Sequence, residues 1–319
     1  MRLVIAMPVY EDWESAALLC EALHAELAPL TDVQATILLV DDGSTRQTGA
    51  NLAPANDPHN RVWVLRLRRN LGHQRAIAVA LAYIHEKIAC EAVIVMDADG
   101  EDRPAEIPRL LQSYRESTFP VTIFVERGRR IESLTFKAYY QIYRFLHFLL
   151  TGRGIRFGNF SLMPAEHLAS IVAFPELWNH FAAAVLKAQL PYSTIRADRG
   201  RRLRGKSRMK FVSLVIHGLS ALFAGYEVVS TRLLAATAIL FLMALILMLC
   251  VILVKLLTHL AIPGWATIAG GLLVLMGFQL LTTAISIIFS VMMNRNSLGF
   301  LPVRDYSFFV ADCREIRSA

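Results

Sequence analysis

Two apolar runs in this chain end on acids. Val93-Ile94-Val95-Met96 leads into Asp97-Ala98-Asp99, and Ile37-Leu38-Leu39-Val40 leads into Asp41-Asp42-Gly43-Ser44. Each run reads as a buried strand. Side chains in a strand alternate between faces, so Asp97 and Asp99 are expected on one side. Paired carboxylates at the carboxyl end of a strand form a hard-oxygen site suited to Mg²⁺ or Mn²⁺. Ligands of open α/β sheets bind along that edge. Two acid-tipped strands in one α/β unit point to an enzyme that handles a metal and a nucleotide. The plainer alternative is a pair of ordinary acidic turns.

The elements that must position these acids alternate. Strands are expected at 3–9, 36–40, 62–67, 92–96 and 121–125, and helices at 14–27, 74–89 and 104–115. Such βαβ alternation predicts an α/β domain built on a doubly wound, mostly parallel sheet. From Phe136 the pattern changes. Residues 136–150 and 209–226 are apolar and aromatic with sparse polar groups, as in helices that lie in a membrane interface or pack on a sheet.

The 319 residues suffice for one large domain with an appendage, and the net charge is +7. Hydrophobic residues make up 55% and mean hydropathy is +0.44, too apolar for a purely soluble chain of this size. Most of the excess lies in residues 233–257 and 266–293, each longer than the roughly 20 residues that cross a bilayer as a helix. The link between them carries Pro263, Gly264 and an interfacial Trp265, which predicts a transmembrane hairpin. Arg232, Arg295 and Arg304 flank the hairpin outside, whereas only Lys255 and His259 lie near the link. The positive-inside tendency then puts the catalytic domain and both termini in the cytoplasm, on an inner-membrane, multi-pass protein. The N-terminus reads as a strand rather than a signal peptide. Cys20, Cys90, Cys250 and Cys313 form no CxxC pair and fit a reducing compartment. Residues 196–210 hold eight basic residues against Asp198 alone, which accounts for the whole net charge. Close before two spans, such a run suits lipid headgroups or a phosphorylated ligand. A nucleic-acid partner is disfavoured, because no aromatics interleave with the run. The expected organisation is a catalytic domain at 1–208, interface helices at 209–231, two spans within 232–294 and a cytoplasmic tail at 295–319.

Taken in order, Pro8-Val9-Tyr10-Glu11, Asp41-Asp42-Gly43-Ser44, Arg69-Asn70-Leu71-Gly72, Asp97-Ala98-Asp99 and Gly158-Asn159-Phe160-Ser161-Leu162-Met163 resemble the family 2 glycosyltransferases with the GT-A fold. Gly205-Lys206-Ser207-Arg208 and the hairpin narrow the resemblance to the polyprenyl-phosphate glycosyltransferases, the dolichol-phosphate mannose synthase-like group. The resemblance implies that Pro8, Tyr10, Glu11, Asp41, Asp42 and Ser44 hold the nucleotide of a UDP- or GDP-linked sugar. It also implies that Asp97 and Asp99 hold the metal on the diphosphate. Where the family often has Gln, this chain has Glu101, which keeps an oxygen ligand for the metal and adds negative charge.

The chemistry then follows from charge. A lipid phosphate is already an oxyanion at neutral pH and needs no strong base to attack an anomeric carbon. The difficulty is the departing diphosphate, which a divalent metal neutralises as a Lewis acid and arginines clamp with bidentate geometry. Arg127, Arg130, Arg202 and Arg208 are the candidates, with Lys206 beside them. Trp178 or His180 could touch the sugar or simply pack, and His73 could face the donor or cap a helix. The Gln-x-x-Arg-Trp motif of processive synthases is missing, which favours transfer of a single sugar; the resemblance implies polyprenyl phosphate as acceptor, and direct displacement would invert the anomeric configuration. The rivals are transfer to another lipid acceptor and a non-catalytic scaffold in glycan assembly. So thin an anchor in the lipid bilayer is compatible with a homo-oligomer.

Overall fold

The computed structural model describes residues 1–45, 52, 60–127, 141, 145, 148–152, 157–198, 200, 202–204, 226–258, 264–296 and 299–316, apart from the side chains at 127 and 294–296. They fall into two units. The first comprises Met1–Tyr140, Ile155–Ala224 and Phe300–Ala319, and the second Gln141–Gly154 and Gly225–Gly299.

The first unit is built on one sheet. Its strands are β1 (Arg2–Val9), β2 (Gln34–Asp41), β3 (Asn60–Leu67), β4 (Ala92–Val95), β5 (Thr122–Arg127), β6 (Ser161–Pro164), β7 (Tyr192–Ala197) and β8 (Val310–Ile316), in the order β7-β5-β6-β4-β1-β2-β3-β8. β1 pairs in parallel with both β2 and β4, β2 with β3, and β5 with β7. β6 and β8 run antiparallel to their neighbours. From β1 the chain builds outward to β2 and β3 on one side and to β4 on the other. The carboxyl ends of β1 and β4 therefore border the topological switch point, where open sheets of this kind take their ligands.

Both faces are covered. Leu3, Ile5 and Met7 of β1 meet α1 (Trp13–Leu27) and α3 (Ile107–Glu116). Val4 and Ala6 face α2 (His73–Lys87), α4 (Ala165–Ile171) and α5 (Phe181–Lys187). Burial on two sides is why β2 and β4 read as unbroken apolar runs. α2 is buried nearly all round, and its Ala76, Ala78, Ala80 and Ala82 need little room against the sheet. The architecture is the doubly wound, mostly parallel sheet expected from the sequence.

Two features differ from expectation. β4 stops at Val95, and Ala98 and Asp99 form a turn, so strand alternation does not set the direction of Asp99. Residues 295–319, read from the sequence as a tail, supply α8 (Pro302–Asp305) and β8, which pairs with β3 along Val62–Leu67 and covers that sheet edge.

The second unit holds α6 (Tyr226–Leu257) and α7 (Trp265–Asn296), packed against each other. Each has 32 residues, and both are long and apolar enough to cross a membrane. Almost none of their residues is buried, which is incompatible with a buried core pair. α6 starts upstream of the expected 233 because the helix continues through Glu227 and Arg232. The interface helix expected at 136–150 is described only at 141, 145 and 148–150, and the one at 209–226 lies outside the described residues except for Tyr226.

Candidate functional site

The site is built from loops that leave the carboxyl ends of β1, β2 and β4. Pro8 sits within β1 opposite Val40 of β2, and Tyr10 is exposed just beyond the strand. Glu11 adopts φ +55°, which turns the chain sharply. Its backbone N–H donates to Ser44 Oγ at 3.0 Å, and its Oε1 accepts from Thr45 N at 2.6 Å and Thr45 Oγ1 at 2.7 Å. Trp13 Nε1 also donates to Ser44 Oγ, at 3.3 Å. The first two loops are thus stitched together through polar atoms.

Asp41 ends β2 and is fully buried. Its Oδ1 accepts from Ser44 N at 2.9 Å, while its buried Oδ2 has no hydrogen-bond partner among the described residues. A buried carboxylate oxygen without a donor is costly unless a ligand supplies one. Asp42 turns the other way, accepting from Leu71 N at 2.7 Å and from Gly72 N at 2.9 Å. Burial pushes its carboxyl up to about 6, although those two N–H groups and His73 pull it down. Gly43, at φ +70°, makes this turn possible: a Cβ there would lie 2.5 Å from both Arg69 C and Asn70 N.

Past β4, Asp102 is almost fully buried and accepts the Asp97 backbone N–H at 2.9 Å, so this acid shapes the loop. The Asp97 and Asp99 side chains are 21% and 20% exposed, so both reach solvent. Asp97 Oδ1 lies 3.1 Å from His73 Nε2. Desolvation alone would lower the His73 pKa, but Asp97, with Asp102 and Asp42 behind it, raises it. His73 opens α2, and Asn159 Nδ2 lies 3.0 Å from the same ring nitrogen. Asn159 is held in turn by Gln74 Nε2 at 3.0 Å, and Gln74 Oε1 takes the Phe181 N–H at 2.8 Å. A polar chain, buried at Gln74 and Asn159 and reaching solvent at His73, therefore runs from α5 through α2 to Asp97.

Among the described residues no three His, Cys, Asp or Glu side chains converge on one point to hold a metal. The expected triad of Asp97, Asp99 and Glu101 is therefore not assembled; the loop after Asp99 turns through Gly100 at φ +86°. Two solvent-reaching carboxylates still suit Mg²⁺ or Mn²⁺, because such ions draw their remaining ligands from water and substrate phosphates.

The arginines are placed unevenly. Arg202 bonds Asp99 Oδ2 through Nη1 at 3.2 Å and Asp12 Oδ2 through Nη2 at 2.5 Å, so it lies on the acids. Arg127 ends β5, at the same sheet edge, with its side chain undescribed. Arg130, Lys206 and Arg208 lie outside the described residues. Trp178 packs on Phe300 and Phe309 beneath Arg75, and His180 caps α5, accepting from Ala183 N. Sequence reasoning assigned no role to Asp12, Gln74, Asn159 or Asp102. The neighbouring acids Glu11-Asp12 and Glu101-Asp102 were the only signal for two of them.

The model of the family described as glycosyl transferase family 2 matches residues 4–168. The undecaprenyl-phosphate 4-deoxy-4-formamido-L-arabinose transferase of Yersinia enterocolitica is 31% identical over 172 residues, covering 54% of this chain and 50% of that one. The enzyme of the same description from Photorhabdus laumondii is 27% identical over 226 residues, covering 67% of this chain and 65% of that one. The chain thus spans half to two thirds of the length of these relatives. Among solved structures, glucosyl-3-phosphoglycerate synthase from Mycobacterium tuberculosis in complex with Mn²⁺, UDP-glucose and phosphoglyceric acid aligns with TM-score 0.48 and 15% identity, over 71% of this chain and 79% of that one.

Proposed function

The chain belongs to glycosyl transferase family 2, and on that premise we propose that it moves one sugar from a UDP- or GDP-linked donor to polyprenyl phosphate, at the cytoplasmic face of the inner membrane, with inversion at the anomeric carbon. The observation that carries this reading is the buried Asp41 Oδ2, without a hydrogen-bond partner among the described residues, at the same sheet edge as Asp97 and Asp99. One acid offers an acceptor for a donor group of the nucleoside, and the other two offer oxygens for a cation on its diphosphate. The polyprenyl phosphate transferases among the relatives support the acceptor class.

In this reading Glu11, Asp41, Asp42 and Ser44 form the nucleoside wall, tied together by the bonds described above. Asp97 and Asp99 hold Mg²⁺ or Mn²⁺, which when bound neutralises the leaving diphosphate as a Lewis acid. His73, braced by Asn159 and Gln74, fixes Asp97. A lipid phosphate oxygen attacks the anomeric carbon while the bond from that carbon to the diphosphate oxygen breaks, and no proton need be removed first. The cations of residues 196–210, with Arg127 and Arg130, draw the two anions together. Ile155–Ala224 before the hairpin and Phe300–Ala319 after it belong to one folded unit. Two crossings return the chain to the side it left, which supports both flanks lying on one side.

The test is sugar transfer by the purified full chain with Mn²⁺ or Mg²⁺, offered a panel of UDP- and GDP-sugars and polyprenyl phosphate. An EDTA blank and Asp99→Ala run beside it. A metal-dependent lipid-linked product that the variant fails to make is expected. Nucleotide binding without product would remove the acceptor assignment, and absence of both would remove the catalytic reading.

A further inference from the structure

Arg202 lies where a phosphate clamp would not be expected to rest. Its fork is satisfied on three acceptors: Asp99 Oδ2, Asp12 Oδ2 and, through Nε at 3.0 Å, the Arg204 carbonyl. Asp12 follows β1 and Asp99 follows β4, so the guanidinium spans the switch point between adjacent strands. The backbone delivers it there. Gly200 N donates to the Glu101 carbonyl at 2.9 Å, and Leu203 N to the Asp99 carbonyl at 3.0 Å. Glycine is required on both sides of this seam. A Cβ on Gly100, whose φ is +86°, would stand 2.5 Å from Leu203 Cγ, and one on Gly200 would stand 2.4 Å from the Gly100 carbonyl oxygen.

Building on the metal reading of Asp97 and Asp99 above, we propose that Arg202 competes with the divalent cation for Asp99. A dication on Asp99 would share that carboxylate with a guanidinium held 3.2 Å from Oδ2. Two like charges cannot crowd one carboxylate of a partly buried site without strong repulsion. The Arg202 and Asp99 side chains are 23% and 20% exposed, so water screens them only in part. Asp12 retains the guanidinium when Asp99 is taken, and the backbone seam holds the start of the basic segment in place. Metal loading and the turning of Arg202 away from Asp99 are then one event. Arg202 is a positioning residue whose place on Asp99 depends on the state of the metal loop.

The test measures Mn²⁺ binding to the full chain in detergent, without nucleotide, from the electron paramagnetic resonance of free Mn²⁺. Arg202→Gln keeps a polar side chain of similar reach without the charge, and should tighten Mn²⁺ binding about tenfold. Arg202→Lys restores the charge and should return the affinity toward wild type. A second readout needs no substitution: phenylglyoxal labelling of wild-type Arg202, followed by mass spectrometry, should speed up when Mn²⁺ is added. If the wild type binds Mn²⁺ while Arg202→Gln binds it equally or more weakly, or if labelling does not speed up, the competition is overturned and the metal reading stands. If neither protein binds Mn²⁺, both fall.

Discussion

Burial pushes the Asp42 carboxyl up to about 6 from an ordinary 3.8, against the pull of two backbone N–H groups and His73. Between those values the folded chain keeps a proton that the unfolded chain has released. Stability from this source is therefore fully present below about pH 4 and is lost as the pH rises through about 6. The gap between 3.8 and about 6 corresponds to about 3 kcal/mol, at 1.36 kcal/mol per pKa unit. In a folded unit of this size that is roughly 6–12 °C in Tm. Asp42→Asn abolishes the titration, but it turns an amide NH₂ toward one of the donors at Leu71 and Gly72, costing about 1–3 kcal/mol at every pH. The wild type should therefore lead the variant most below about pH 4, and the lead should shrink toward zero or reverse by about pH 7.5. Thermal unfolding of the detergent-solubilised full chain in EDTA, followed by tryptophan fluorescence across this range, measures the gap. A gap constant with pH would refute the assignment of a raised pKa to Asp42.

Gly43→Ala should lower stability by about 2–4 kcal/mol, from the positive φ and the collision with Arg69 and Asn70, and a Tm within a degree or so of wild type would contradict that packing. Gln74→Leu strands the Phe181 N–H and the Asn159 carbonyl, so a loss of about 2–4 kcal/mol is expected in denaturant unfolding. His73→Ala removes the imidazole that lies 3.1 Å from Asp97 Oδ1, and should change Mn²⁺ affinity more than Tm; the reverse ranking would make His73 a packing residue. Truncation after Phe309 uncovers the β3 edge at Val62–Leu67 and should give aggregates on size-exclusion chromatography, where a monodisperse product would show that β8 is dispensable.

The parts legible in the sequence are those whose signal is local. β1, β2 and β4 are buried on both faces, so their apolar runs stand out, and acids follow at or just beyond their ends. α6 and α7 declare themselves by length and hydropathy alone, with no need of a partner. The strands that escaped notice lack such signals. β6 has four residues, too few for a period to show. β7 is an exposed edge strand, and its Arg196 reads as the start of a basic run. β8 mixes Val310, Cys313 and Ile316 with Asp312, Arg314 and Glu315, as suits a strand at the margin of a sheet, and it reads as a tail.

The site was harder to read for a different reason. Periodicity states which face a residue occupies and says nothing about which distant segment meets it. Asp12 and Arg202 are 190 residues apart, and Asn159 reaches His73 across 86. Arg202 carries the residue type of a phosphate clamp, yet its position is set by two glycines that let the backbone at Gly200 and Leu203 close on the turn at 99–101. Asp97 and Asp99 show the same limit on a smaller scale. The acids stand two and four residues past the end of β4, so the turn aims them, and Asp102 and the Asp99–Glu101 hydrogen bond set that turn. The acid motif marks where cations must gather. In the competition proposed above, which cation holds Asp99 depends on how the charge of Arg202 compares with that of a competing ion, and that comparison exists only once the loops have been brought together.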